Sequence, residues 1–597
     1  MKNYLYKFRV LLVAVLMLGA CNDDFLERYP LDQVSNETFW NTANDLATYN
    51  NFLYNMTIDD VNLPIMLGHH NGFDSQIASY MHLDGFADNL APDHERHRPF
   101  QQVRAGRQIV PNSSSGIANQ WYGYRGWNFV RAINVGLANY GKANIPDNIR
   151  NQYIGEARLF RGWFYHHIVK MFGDAPFVDR ELNIDSEELF ASRTPRLEVM
   201  NKVLEDLNFA VSGLPNDWGD GSNPGRLNRW AALAIKSRVC LFEGTWRKHH
   251  GLPDANAWLT EAANAAKEVI ENGPYAIYST GNPEQDYNSF HRGLADLTGN
   301  PEVMIWRRYR LGILTNVVQD YYSYSGGATR NAVEDYLCTD GLPITLSNEY
   351  QGDDVFENIF ENRDPRLRQT ILHPDDAEFY KYHNADGLDY PRIAGMPGGR
   401  TSSTGYHVIK QYNADDMIGK AYNTGEFPAL ILRYAEVLLN YAEAKAELGE
   451  ITQADLDMSI NLLRERVAMP SLGLNPPMDP RYADDGISSL LVEIRRERRI
   501  ELFGEGFRYD DLRRWKQGKK LLKKDMGIQW NAAHQARFEN AIIRTSVDPE
   551  NGKTYIDVYK NTDWDNPVFD ENKDYLWPIP LNDLAQNPAL GQNPGWN

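Results

Sequence analysis

Tyr321-Tyr322-Ser323-Tyr324, with Gly326-Gly327 beside it, is the segment best suited to hold a small polar ligand. Flat phenol rings can cover the C–H face of a pyranose while neighbouring amides and carboxylates bond its hydroxyls. The competing reading is that one or two of these tyrosines pack under their own loop. Three adjacent histidine pairs, His69-His70, His166-His167 and His249-His250, suggest metal binding. Neighbours in a helix or strand point in different directions, so adjacency makes a poor chelate, and no catalytic metal is expected. His94-Glu95-Arg96-His97 is one residue short of a zincin motif. A structural calcium near Asp217 and Asp220 is more plausible, without a complete EF-hand pattern. Gly504-Glu505-Gly506 has Tyr509 where a dinucleotide fingerprint needs glycine, and it follows a helix instead of a strand. The chain has neither a phosphate-binding GxxxxGK[ST] loop nor a GxSxG nucleophile elbow.

These residues must be positioned by helices, and the helices come in pairs. In 429–448, Leu430, Tyr434, Val437, Tyr441 and Leu448 form one apolar stripe, with Ala435, Ala442 and Ala446 letting a neighbour approach. Gly449 stops that helix, and Leu456, Ile460, Leu463 and Val467 mark a second one that ends at Pro470. Further pairs are expected at 118–141 with 149–172 and at 196–213 with 227–247. Single helices follow at 256–272, 487–503 and 507–517. Trp121, Trp127, Trp163, Trp230, Trp246 and Trp515 lie in these helices and read as core. Helix pairs that cannot bury their faces alone must stack, so the fold class is mainly α, with tetratricopeptide-like stacked pairs. Long irregular segments at 55–117 and 274–428, with short β-like runs such as Val303-Met304-Ile305-Trp306, should form the ligand face. The scaffold is mainly 118–272 and 429–517, with a tail at 525–597 packed on it. Residues 21–597 read as a single domain.

The first twenty residues look like a targeting segment. Lys2, Lys7 and Arg9 precede the apolar run Val10–Ala20, too short to span a bilayer. It ends in Leu18-Gly19-Ala20-Cys21, a lipobox that would make Cys21 the acylated N-terminus of a lipoprotein. Several acyl chains on one cysteine suffice for stable anchoring. No second apolar stretch approaches spanning length, so the rest is expected to be soluble. A formal net charge of −19, which becomes more negative once the leader is removed, argues against a nucleic-acid partner. After Cys21 only Cys240 and Cys338 remain, too few for a disulfide framework and not spaced for zinc.

Several ordered motifs resemble the SusD/RagB family of outer-membrane nutrient-binding lipoproteins. They are Asn22-Asp23-Asp24-Phe25-Leu26-Glu27 after the lipobox, and Glu156-Ala157-Arg158 with Arg161 leading to Phe172-Gly173-Asp174-Ala175-Pro176. Leu432 to Leu439 running into Tyr441-Ala442-Glu443-Ala444 is another, as is Glu497 to Leu502 with Glu505-Gly506-Phe507-Arg508 and Asp511 to Trp515. Trp577-Pro578-Ile579-Pro580 with Asn593-Pro594-Gly595-Trp596 closes the series. The resemblance implies a ligand face of irregular segments, mainly oligosaccharide ligands (peptides in some branches), and a partner: a SusC-like TonB-dependent transporter at the cell surface. The family often places ligand contacts just before the first helix pair, which makes Phe100, Gln101, Gln102 and Arg104 candidates. Arg104 with Arg107 would suit an acidic sugar. The charged motifs themselves read as scaffold, because their i,i+3 and i,i+4 spacing permits ion pairs along and between helices. The rival reading is an all-α glycoside hydrolase or lyase, which would need two carboxylates about 5–10 Å apart. Eighty Asp and Glu residues leave that arithmetic open, and the binding-family motifs favour a non-enzyme.

Overall fold

The computed structural model describes residues 38–56, 66, 80–93, 98–113, 123–292, 296–318, 326–376, 391–396, 401–413 and 424–596. Helix α1 (Ala43–Asn55) opens with a capping box: Thr42 accepts from the Asp45 amide, and the Asp45 carboxylate accepts from that of Thr42. After the short α2 (Arg98–Arg104), α3 (Trp127–Asn139) and α4 (Asp147–Phe172) form a hairpin, and α5 (Arg196–Gly213) returns along α4. Helices α6 (Arg229–His250) and α7 (Ala255–Asn272) form the next pair. Asn228 caps α6 by accepting from the Ala231 amide, and Gly251 ends it with φ 73°. The tetratricopeptide-like architecture is the one the periodicity implied, but the pairing differs: 196–213 packs chiefly on α4 instead of on 227–247, whose helix α6 pairs with α7.

The strand β1 (Val303–Arg307) pairs antiparallel with β2 (Ala429–Arg433), Arg307 opposite Ala429 and Val303 opposite Arg433. This corrects the helix expected over 429–448. Its first five residues are strand, and only Tyr434–Leu448 is helix (α8), which ends at Gly449 as its αL cap implied. The chief neighbours of α8 are α7, α11 (Ser489–Glu501) and α6, not the segment after its own turn. That segment is broken into α9 (Gln453–Asp457) and α10 (Ile460–Arg466). Beyond α11 come α12 (Arg508–Arg514) and a small sheet, in which β3 (Met526–Gln529) and β4 (Thr545–Val547) flank β5 (Thr554–Asp557). The tail is sewn to the scaffold: the Trp577 amide donates to Met171 O at 2.8 Å, and its indole donates to the Tyr509 hydroxyl at 3.0 Å.

One large apolar core runs through α1 and α3 to α8 and takes in Trp577. A second joins residues 328–412 to β3 and β5. Between them lies a charged interior. Arg433 donates to Glu302, Glu501 and Glu505 at 2.7–2.8 Å, and Arg366 meets Asp364, Glu497 and Glu501. Arg514 grips both oxygens of Glu443 at 2.6 and 2.7 Å. The motif charges therefore pair mostly between elements: Arg498 meets Asp511, and Arg508 reaches Asp88. The Trp reading holds for Trp163, Trp230, Trp246 and Trp515, which are buried. Trp127 is only half-buried, because α3 turns its N-terminal end towards a surface groove.

Candidate functional site

Three stretches of backbone are knotted together where the tyrosine-bearing segment rejoins the described chain. The Ala91 amide donates to Gly327 O at 2.9 Å, Thr329 to Asn89 O at 2.9 Å, and Ala328 to Tyr406 O at 3.0 Å. Ser403 Oγ closes on Ala91 O at 2.5 Å, and the Ile528 amide brings β3 in through Thr404 O at 2.8 Å. The two glycines next to the tyrosines are demanded by this packing. Gly326 has φ +84°, and a Cβ there would sit 2.2 Å from Ala91 O; one on Gly327 would meet Thr404 Oγ1 at 2.2 Å. Ala91, Gly327 and Ser403 are thereby held together although they are far apart in sequence.

A second pair of anchored ends lies past β1 and β2. Asn316 and Gly425 exchange backbone bonds at 2.9 and 3.1 Å, and Asn316 Nδ2 donates to Phe427 O at 2.8 Å. Residues 319–325 begin just after Val318, and 414–423 end just before Thr424. The described ends of the irregular segments are consequently brought to shared anchor points by contacts distant in sequence.

The charged motif helices hold this platform. Arg499 of α11 donates to Asp88 O at 2.9 Å, to Asn89 Oδ1 at 2.8 Å, to Asn331 Oδ1 at 2.8 Å and to Asp335 at 2.6 Å. Arg508 of α12 clasps both Asp88 oxygens at 2.7 and 3.0 Å. Burial raises the Asp88 carboxyl, but the Arg499 and Arg508 guanidiniums outweigh it and hold the group well below the usual carboxylate range. Asp84, fully buried, accepts from Asn89 Nδ2 at 2.9 Å and the Gly504 amide at 2.8 Å, and desolvation still pushes it up to about 6.

The other candidates separate clearly. Tyr321, Tyr322 and Tyr324 lie outside the described residues, as do Cys21, His69-His70, the 94–97 motif and Trp121. In α2, Phe100 and Arg104 occupy one face at i,i+4, and that face points inward. Phe100 is 1% exposed and packs on Phe86 with centroids 4.5 Å apart. Arg104 is spent on Asp525 at 2.9 Å and on the Leu521 and Lys523 carbonyls. Phe100 thus holds α2 to residues 80–86 and Arg104 holds it to Leu521, Lys523 and Asp525, so both side chains are engaged inside the protein. Gln101 Nε2 donates to Pro92 O at 2.9 Å, whereas Gln102, on the opposite face, is half-buried. His166 is buried, and burial drives its pKa well below the ordinary value, while His167 is half-buried. His250 stacks on Trp246 at 4.0 Å, and His249 faces Glu447. Asp217 and Asp220 accept from their own turn, from Gly219 and Ser222 amides. Among the described residues no group of three or more His, Cys, Asp or Glu side chains is placed to hold a metal.

The SusD family model matches residues 290–596, more than half of the chain, and a second model, described as starch-binding associating with outer membrane, matches 24–241. The chain belongs to the SusD family. It is 24% identical to a SusD-like protein of Formosa agariphila, covering 100% of both chains. In fold it is similar to a SusD-like carbohydrate binding protein of Bacteroides fragilis, with a TM-score of 0.71 and 23% identity over 93% of this chain and 100% of the other. A surface glycan-binding protein of Bacteroides fluxus gives a TM-score of 0.59 at 17% identity, over 93% and 100%. In this SusD-family chain the residues missed from sequence are those of the platform, Asp88, Asn89 and Ser402 to Thr404, whereas Arg499, which clamps Asp88 and Asn89, belongs to a motif that reads as scaffold. Only the paired glycines signalled it, since a Gly-Gly beside an aromatic cluster marks a close backbone approach.

Proposed function

We propose that this chain binds an oligosaccharide through its irregular segments, with Tyr321, Tyr322 and Tyr324 as the aromatic anchors. It passes the ligand to a SusC-like TonB-dependent transporter, and a lipid on Cys21 holds it to the outer surface of the outer membrane. The observation that carries the reading is the knot of 89–92, 326–329 and 402–406, beside which the sequence places the tyrosine cluster, in a member of a family whose solved relatives include a carbohydrate binder. Glu302, Glu443, Glu501 and Glu505 are each bonded by arginines, which supports a structural role for these buried carboxylates.

Truncating an aromatic anchor typically costs about 2 kcal/mol or more of binding. Tyr322→Ala and Tyr324→Ala should each weaken binding of the best ligand from a glycan screen by that amount, read by calorimetry, with helical content unchanged. Unchanged affinity in both would move the site off this segment. Release of new reducing ends from the same glycans would instead establish the hydrolase or lyase reading. For the anchor, Cys21→Ala protein should fold and leave the membrane fraction; if it still pellets with outer membranes after a salt wash, the lipid anchor is wrong.

A further inference from the structure

A groove of about 1470 Å³ opens between the N-terminal end of α3, the loop 182–190 and residues 583–590, and it shares no residue with the loop platform. A small-molecule pocket holds roughly 300–1,000 Å³, so this one has room for an oligomer. Two flat rings line it. Trp127 is half-buried and held by rings packed edge-on against it: Tyr124 at 5.2 Å, Phe164 at 5.9 Å and Tyr165 at 6.4 Å between centroids. Phe190 is 64% exposed on a loop that is itself tied down. Arg180 clasps Glu188, the Asn183 amide bonds Ser186 Oγ at 2.9 Å, and Asn587 Nδ2 donates to Ala191 O at 2.9 Å.

Polar side chains stand among the rings. Arg131 follows Trp127 by one turn on the same face of α3 and is exposed. Asn183 and Gln586 are exposed as well, and Asp583 is half-buried. None of these four side chains forms a hydrogen bond or ion pair with another residue among those described. Burial raises the Asp583 carboxyl, so a donor from outside would relieve it. A guanidinium only donates, a carboxylate only accepts, and an amide does both. Sugar hydroxyls donate and accept in turn, and the C–H faces of a pyranose lie flat on aromatic rings, so both halves of the groove suit a saccharide. Other occupants fit less well. The charged residues lining the groove are Arg131, Arg180, Glu188 and Asp583, and with the signs balanced no net charge selects an ion. A docked strand needs a free sheet edge, and a docked helix needs a continuous apolar trough. Among the described residues no strand lines the groove, and its rings are interspersed with uncommitted polar groups.

We propose that this groove is a further saccharide site, separate from the tyrosine segment, in which Trp127 and Phe190 cover sugar faces, Asp583 accepts from hydroxyls, and Arg131, Asn183 and Gln586 bond the remaining ones. The inference rests on the oligosaccharide reading above but not on the tyrosines. Its test is calorimetric titration of the full chain in detergent with one hexasaccharide, the best binder of an array that spans α-glucans, β-glucans and uronic-acid polymers. The wild type should take up two molecules per chain. Phe190→Ala, and separately Arg131→Ala with Asp583→Asn, should each weaken one event roughly tenfold or more and leave the other unchanged. Tyr322→Ala with Tyr324→Ala should do the converse. Phe190 and Arg131 are exposed, so the groove variants should keep the wild-type melting temperature. Binding at any stoichiometry that both groove variants leave untouched overturns the groove as a site while the oligosaccharide reading stands. No binding by the wild type across the array overturns that reading and this inference with it. A single event abolished by the groove variants alone would make the groove the primary site, which overturns the role of the tyrosines and upholds this one.

Discussion

At the scale of residues, the arginines divide between two tasks that their exposure does not reveal. Arg499 and Arg514 are both buried and both bound to carboxylates, yet Arg499 also holds Asp88 O, Asn89 and Asn331, whereas Arg514 meets Glu443, Asp511 and Thr245 inside the helical stack. Removing one partner of a buried pair costs about 3–5 kcal/mol, because the remaining charge is left desolvated. Arg499→Gln and Arg514→Gln should therefore lower thermal stability to a similar degree. Only Arg499→Gln should also weaken glycan binding, since it alone loosens the segments that carry the loop ends. Equal affinities in the two variants, measured below their melting transitions, would show that the platform does not govern the site.

At the scale of elements, Ala442 tests the stacking. It is fully buried on α8, whose neighbours are α6, α7 and α11, and Asn440 on the same helix donates to Ser237 Oγ of α6 at 3.0 Å. Overpacking a site of this kind costs about 1–3 kcal/mol or more. Ala442→Trp should lower the melting temperature, and an unchanged value would place that helix face in solvent. Long helices such as α4, α5 and α7 were legible in sequence because their apolar spacing persists over many turns. The run Ala429 to Leu432 was not: four apolar residues fit either period, and the choice of strand is made by β1, more than a hundred residues away. The site divides in the same way. Gly326-Gly327 could be read as a close approach, but α2 was misjudged because its inward face is set by Phe86 and Asp525, which no local pattern announces.

At the scale of the whole molecule, the charged interior makes stability depend on pH, and the sign follows from the shifts. Burial raises the Glu501 carboxyl, but Arg466, Arg433 and Arg366 more than reverse this and hold it well below the usual range. Desolvation likewise raises Asp335, and Arg499, Arg496 and Arg481 overcome it. A carboxylate depressed in the folded state contributes stability that is fully present above its unfolded pKa, about 4, and is lost as pH falls through the folded value. His166, His291 and His407, kept neutral chiefly by burial, add a loss that begins as pH falls below about 6.5. Asp84 and Asp525 act the other way. Desolvation is the first cause of their rise to about 6, so protonating them between about 6 and 4 favours the folded state and offsets part of the histidine loss. The melting temperature should therefore decline gently from pH 7 to 5 and steeply below about pH 4, in scanning calorimetry at constant ionic strength. In the Glu501→Gln variant the steep limb should shrink while the gentle one persists. A melting temperature at pH 3 equal to that at pH 7 would mean the buried arginine–carboxylate network contributes nothing net to holding the helices together.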